Sequence, residues 1–253
     1  LSSSLPNWPA GYDRRVFPEI DSTNAEAARL APTLAGPTWL LALRQTAGRG
    51  RRGRAWTDPP GNFAATLVMR VEGDAAAAAQ RSFVAALALA DALTQATGRP
   101  ESIALKWPND VLMNGAKVAG ILLETAGQGG VIAPLAIGIG VNLAHAPDTT
   151  ALEPGALAPT SVLSATGAQL DPETFLALLA PAFAQWETRL VTHGFGPLRR
   201  AFLDRAARLG DTITARTGSD TITGTFTDID DTGALVLITA RGRQTVQAAD
   251  IFF

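Results

Sequence analysis

At Arg208-Leu209-Gly210 the chain changes its pattern, and that change constrains the fold more than any other feature. Downstream, the β-rich runs Thr212–Arg216, Thr221–Phe226, Leu235–Ile238 and Gln244–Gln247 follow one another closely, with no stretch at helical spacing. Turn residues separate them at Gly218-Ser219-Asp220, Asp230-Asp231-Thr232-Gly233 and Arg241-Gly242. Such a segment, with four or five short strands and no long helix, makes a small β-barrel. The chain therefore divides into a main domain, residues 1–207, and a β appendage, residues 208–253.

The main domain mixes both periodicities. Thr23 and Glu26 stand at capping-box spacing and open a helix through Leu30. Trp39–Leu43 and Asn62–Arg70 are apolar strands, and Arg81–Thr97 is a helix with Asp91 on its exposed side, ended by Gly98-Arg99-Pro100. Ile103–Leu105 is a brief strand delivering Lys106. Asn114-Gly115 joins Val111–Met113 to a returning strand, Lys117–Thr125. Val131–Val141 is a further strand. Asp171 caps a helix with Pro172 at its first position and a kink expected at Pro181. The fold class is α+β, a mixed sheet with helices.

Composition removes whole classes of chemistry. The chain has no cysteine and two histidines, so disulfides, thiolate nucleophiles, Cys-ligated metals and multi-histidine sites are out, and a cytoplasmic setting is expected. The N-terminus lacks the plan of a signal peptide, and the longest apolar run, Phe83–Leu93, is too short to span a membrane. A net charge of −2 gives no whole-chain attraction to a polyanion.

Charge is instead concentrated in short segments. Of 21 basic residues only Lys106 and Lys117 are lysines, and they flank Trp107-Pro108-Asn109-Asp110. An ammonium is a compact point charge able to reach one oxygen in a tight site, whereas a guanidinium is a wide fork. Upstream lies Gly48-Arg49-Gly50-Arg51-Arg52-Gly53-Arg54-Ala55-Trp56, whose glycines let backbone N–H groups approach an anion while the arginines supply forks and Trp56 a stacking face. Asp110 has three roles open to it: counter-ion, magnesium ligand, or acceptor for an incoming amine. Gly138-Ile139-Gly140-Val141-Asn142 is a weak dinucleotide fingerprint and reads better as a strand end with close backbone approach to a ligand. Ser22-Thr23-Asn24 combines helix start with small polar groups suited to a neutral polar ligand.

In order along the chain, Asp21–Asn24, Gln45–Trp56, Lys106–Asp110, Lys117–Glu124 and Gly138–Asn142 resemble the motifs of biotin–protein ligases, and the β-rich tail resembles their small SH3-like C-terminal β-barrel. The resemblance implies a class II synthetase-like catalytic domain. It also implies ATP and Mg²⁺ as co-substrate and metal, biotin as substrate, and no tightly bound prosthetic group. Biotin is first adenylated to biotinyl-5′-AMP and then transferred to a lysine of a biotin carboxyl carrier protein. Carried over by motif, Ser22, Thr23, Asn24, Gln45, Arg49, Gly50, Arg51, Lys117 and Gly120 bind biotin. Arg51, Arg54, Trp56, Lys106, Asn109, Lys117 and Asn142 bind ATP or the adenylate. Lys117, Arg51, Arg49 and Asp110 carry the catalysis, with Asp110 the candidate metal ligand. A homodimer is compatible with the family. Too few residues precede Asp21 for the DNA-binding domain of some relatives, so DNA binding is not expected. Two rival readings are a lipoate–protein ligase or octanoyltransferase, and an RNA-binding module built on the arginine-glycine loop.

Overall fold

The computed structural model describes residues 8–125, 134–148, 157–218 and 220–253. Its strands and helices are, in chain order, β1 (Asp13–Phe17), α1 (Thr23–Leu30), β2 (Thr38–Ala42), β3 (Phe63–Met69), α2 (Ala75–Ala79) and α3 (Arg81–Thr97). There follow β4 (Ile103–Lys106), β5 (Asp110–Met113), β6 (Ala116–Thr125), β7 (Leu135–Val141), α4 (Val162–Thr166), α5 (Pro172–His193) and α6 (Phe195–Leu203). The last strands are β8 (Thr212–Arg216), β9 (Thr221–Ile229), β10 (Leu235–Thr239), β11 (Gly242–Val246) and β12 (Asp250–Phe252). Residues 131–133 of the expected 131–141 strand lie outside the described residues.

The first seven strands form one mixed sheet in the order β1-β2-β3-β7-β6-β5-β4, with β1 and β2 parallel and every other neighbour antiparallel. Because side chains alternate across a sheet, each strand feeds two faces. Trp39, Leu41, Phe63, Ala65, Leu67, Ile137 and Ile139 belong to the main core with residues of α3 and α5. Within it, Trp39 meets Phe183 and Phe63 meets Phe175 edge to face. On the other face, Leu40, Val68 and Ala136 pack against Ala27 and Ala31 at and just beyond α1. Helix α1 covers only part of that face. The uncovered part holds the site.

Several local expectations are corrected. Ser22, not Thr23, is the N-cap of α1, and no side chain caps the helix. The Thr23 hydroxyl turns instead to Gln45 and Thr66, while Glu26 is taken by Arg29. Asp91 is half-buried, accepting from Trp186 Nε1 at 2.7 Å and from Arg205. Helix α5 starts at Pro172 under an Asp171 cap, as expected, and continues through Pro181. The 23-residue stretch Ala75–Thr97 is long and apolar enough to cross a membrane, longer than the Phe83–Leu93 run suggested. In the fold this stretch is α2, none of whose residues is buried, followed by the core helix α3, and 61% of its most apolar part lies inside the protein.

The C-terminal strands form a separate five-stranded antiparallel sheet, β11-β10-β9-β8-β12. No ladder joins β11 to β12 among the described residues, so the expected barrel is hydrogen-bonded as an open sheet. Its Phe226, Ile229, Leu235, Leu237 and Ile251 join the main core, and Trp107 Nε1 donates to Gly233 O at 2.9 Å.

Candidate active site

One line of Cα partners crosses the main sheet: Ala42, Ala64, Gly140, Gly120, Asp110 and Lys106. The next line is Leu40, Thr66, Gly138 and Leu122. Directly opposed residues share a face, and on the face away from α3 and α5 the middle of these lines, Ala64, Gly140, Gly120, Thr66 and Gly138, carries only small side chains. Small residues leave the sheet surface hollow there. The hollow is a cavity of about 560 Å³. It is lined by Ser22, Thr23, Asn24, Gln45, Arg49, Gly50, Arg51, Arg54, Trp56, Asn109, Asp110, Lys117, Gly120 and Asn142, so every candidate site residue except Lys106 reaches it.

One end of the cavity is an uncharged hydrogen-bonding pocket. Gln45 Oε1 accepts from Thr23 N at 2.8 Å and from the Thr23 hydroxyl at 3.2 Å. Thr66 Oγ1 lies 2.8 Å from Thr23 Oγ1 and 2.6 Å from Asn24 Oδ1, and Asn24 Nδ2 donates to Glu124 Oε2 at 2.7 Å. Thr66 and Glu124 were not foreseen as site residues: Thr66 is one polar residue on a strand with no motif to mark it, and Glu124 closes the Lys117–Glu124 motif without having been given a role there. Gly138 is required beside them: a Cβ there would stand 2.4 Å from Asn24 Oδ1.

The arginine-glycine segment folds back as a narrow loop. Arg49 bridges Ala55, Gly50 N donates to Arg54 O, and Trp56 N donates to Gly48 O. At its tip Arg52 adopts φ 56 and Gly53 φ 73. The Trp56 indole lies across the Gly120–Gly140 pair, where a Cβ on Gly140 would come within 2.4 Å of the ring. Arg51 donates to Asn109 Oδ1 at 3.0 Å and is pulled below its usual pKa, chiefly by burial. Asn109 in turn donates from Nδ2 to Ile121 O at 2.7 Å, so its amide is already engaged at both ends.

Opposite the loop, β4, β5 and β6 form a meander rather than a single hairpin, and the lysines sit on its outer strands. Asp110 lies between them, 2.7 Å from Lys117 Nζ and 3.9 Å from Lys106 Nζ. Of its three possible roles, the geometry displays the counter-ion. No group of three metal-binding side chains occurs among the described residues. Lys106 stands behind Asp110, 5.4 Å from the Phe253 ring centroid, and burial lowers its pKa against the opposing pull of Asp110. Lys117 keeps its ammonium at the cavity, 6.0 Å from the Trp56 ring centroid.

Two buried polar atoms in the lining lack protein partners: Trp56 Nε1 and Asn142 Oδ1. Asn142 Nδ2 is anchored on Thr160 O at 3.0 Å. Buried polar groups are normally satisfied, so these two mark places where a polar ligand fits. Asp58, also unforeseen, receives Gln45 N at 3.1 Å but leaves Oδ1 unsatisfied, and burial pushes its pKa up to about 6.

Comparison with known proteins places the chain in a family. Residues 16–142 match the biotin/lipoate A/B protein ligase family, and residues 209–253 match the biotin protein ligase C terminal domain. The chain is 61% identical over 238 residues to the biotin--[acetyl-CoA-carboxylase] ligase of Paracoccus denitrificans, covering 94% of this chain and 99% of that protein. It is 33% identical to the bifunctional ligase/repressor BirA of Bacillus subtilis, over 92% of this chain and 71% of that one. Its fold is similar to biotin protein ligase from Aquifex aeolicus in complex with biotin and ATP, with TM-score 0.78, 25% identity and coverage of 94% and 97%. The chain belongs to the biotin/lipoate A/B protein ligase family.

Proposed function

We propose that this protein adenylates biotin with ATP and transfers the biotinyl group to a lysine of a biotin carboxyl carrier domain. One observation carries the reading. A single cavity joins an uncharged hydrogen-bonding end, the Lys117 ammonium and an arginine loop, in the order that a neutral ring, a carboxylate and a polyphosphate require. The high identity to the Paracoccus ligase supports biotin as the substrate.

In this reading Ser22, Thr23, Asn24 and Gln45 hydrogen-bond the ureido head of biotin, with Thr66 and Glu124 holding Asn24 in place. The carboxylate reaches Lys117 and Arg49 and attacks the α-phosphorus of ATP, forming biotinyl-5′-AMP and releasing pyrophosphate. Lys117 steadies charge on the oxygens that change partners, and Arg51 and Arg54 bind the phosphates. Trp56 and Asn142 offer Nε1 and Oδ1 to the adenylate. The amine of the carrier lysine then attacks the biotinyl carbonyl and AMP leaves. No protein nucleophile takes part, so positioning and electrostatics supply the catalysis. Mg²⁺ fits as a companion of the ATP phosphates, with Asp110 as one available carboxylate. Residues 1–207 form the catalytic unit and residues 208–253 the appended one, acting in the cytoplasm.

The test is pyrophosphate release from ATP and Mg²⁺ with biotin or lipoate, in the wild type and in Lys117→Ala. Release that depends on biotin and falls about 100-fold or more in the variant is expected. Release with lipoate alone would move the protein to the lipoate branch of the family, and release unaffected by the variant would remove Lys117 from the mechanism.

A further inference from the structure

Four side chains at the neutral end of the cavity form one hydrogen-bonded file: Glu124, Asn24, Thr66 and Thr23. Helix α1 supplies Thr23 and Asn24, β3 supplies Thr66 and β6 supplies Glu124. Across the sheet Thr66 pairs with Gly138 and Gly138 with Leu122, so Glu124, two residues further along β6, lies on the same face. Thr66 is fully buried and Asn24 nearly so, whereas Glu124 is exposed. Each hydroxyl in the file owns a single proton and donates to only one neighbour. The direction of donation therefore belongs to the file as a whole, and one end must set it.

A carboxylate only accepts. Glu124 Oε2, 2.7 Å from Asn24 Nδ2, turns the NH₂ end of that amide toward itself and leaves Oδ1 facing Thr66. Oδ1 also only accepts, so the Thr66 proton goes to it over 2.6 Å. Thr66 Oγ1 then accepts from the Thr23 hydroxyl over 2.8 Å. Gln45 Oε1, 3.2 Å from that hydroxyl, is already served by the Thr23 backbone N–H at 2.8 Å. The opposite order, from Thr66 to Thr23 to Gln45, would leave Asn24 Oδ1 facing a buried hydroxyl oxygen with no proton between them, at the full desolvation cost of an unpaired acceptor. With its proton committed to Thr66, the Thr23 hydroxyl offers the cavity lone pairs alone.

We propose that Glu124 is a positioning residue that sets the polarity of the head pocket through Asn24 and Thr66, so that Thr23 demands an N–H donor from the ligand. The ureido ring of biotin supplies one and the dithiolane ring of lipoate does not. A carboxylate at the surface thus discriminates between the two without touching either, because a buried acceptor left unpaired by the wrong ligand weakens its binding. The inference rests on the adenylation reading for its substrate, whereas the order of the file is a property of the ligand-free protein.

Glu124→Lys replaces the fixed acceptor by a fixed donor and should reverse the file, while Glu124→Gln keeps an accepting oxygen and should largely preserve it. Biotin and its two cyclic carbamate analogues, each with oxygen in place of one ureido N–H, are bound without ATP in a calorimeter. Pyrophosphate release gives KM for biotin and for ATP. In the wild type the analogue lacking the N–H that meets Thr23 should bind about tenfold more weakly than biotin, the loss of one hydrogen bond. In Glu124→Lys that ratio should fall below about threefold, with KM for biotin raised about tenfold and kcat and KM for ATP changed less than about threefold. Glu124→Gln should retain most of the wild-type ratio. Equal weakening of biotin and its analogues in Glu124→Lys would overturn the proposal, as would a parallel rise in KM for ATP, the mark of a merely structural role. Should Glu124→Lys fail to fold, Thr66→Val cuts the file at nearly constant volume, and an undiminished ratio there would overturn the proposal equally. The Asn24 Nδ2 protons of ¹⁵N-labelled, ligand-free protein report on the file apart from any reaction. One should be shifted downfield and slow to exchange in the wild type, and should lose both marks in Glu124→Lys; an identical signal in both would overturn the polarity. That loss in a protein whose wild type adenylates neither biotin nor lipoate would leave the polarity standing and refute only the catalytic reading.

Discussion

Asp58 and Gly138 show how much a single position decides in this site. Asp58 packs its carboxylate at the point where the arginine loop leaves β2, receiving one backbone N–H and leaving one oxygen without a partner. Its folded pKa of about 6 lies above the ordinary value of 3.8. A carboxyl with a raised folded pKa costs stability once it ionises, so its penalty is absent below about pH 4, grows through pH 4–6 and is complete above pH 6. About two units correspond to roughly 3 kcal/mol. Asp58→Asn removes the titration, and its stability relative to wild type in urea should rise by a few kcal/mol between pH 4 and pH 7; a constant difference would refute the assignment. Gly138→Ala should raise the biotin KM by about tenfold or more with a smaller effect on ATP, because the new Cβ falls on Asn24 Oδ1. Equal effects on both substrates, in steady-state titrations, would contradict the placement of the head pocket.

At the scale of elements, the glycines and the helix signals were readable in advance. Arg81–Thr97 and the Asp171-Pro172 helix start appear with the expected bounds, and Asn114-Gly115 turns β5 into β6. The sequence also displayed the site's motifs, since glycine-rich turns and clustered cations are local in the chain. It did not display what those motifs touch. Thr66 meets Asn24 across 42 residues, and Arg81 meets Glu187 across 106. No local pattern records such pairings. Thr23 looked like a capping residue because a hydroxyl at a helix start usually caps, and tertiary partners outcompeted the backbone for it. The Arg81–Glu187 pair ties α3 to α5 with side chains only 8% and 9% exposed. Arg81 also donates to Ala77 O at 2.7 Å, linking α2. Removing one partner of a buried pair strands the other, so Arg81→Ala should destabilise by about 3–5 kcal/mol in urea unfolding. A loss below about 1 kcal/mol would show that water reaches Glu187.

Across the whole molecule, the strands that follow the pattern change at 208–210 form a β-rich C-terminal sheet, hydrogen-bonded as an open sheet. The relation of that sheet to the site was not legible, because Asp250 is one acid in an unremarkable tail until the fold brings it to the arginine loop. What the molecule assembles is a sheet face emptied by small residues, with a neutral pocket at one end, an ammonium between, and a cationic loop above. The central claim is that this face joins biotin to a protein lysine. The most direct measurement is the intact mass of a biotin carboxyl carrier domain after incubation with the protein, ATP, Mg²⁺ and an equal mixture of biotin and lipoate. The account predicts a gain of one biotinyl group on the acceptor lysine, lost when ATP is omitted and in Lys117→Ala. A lipoyl adduct, or an unchanged carrier with ATP consumed, would contradict it.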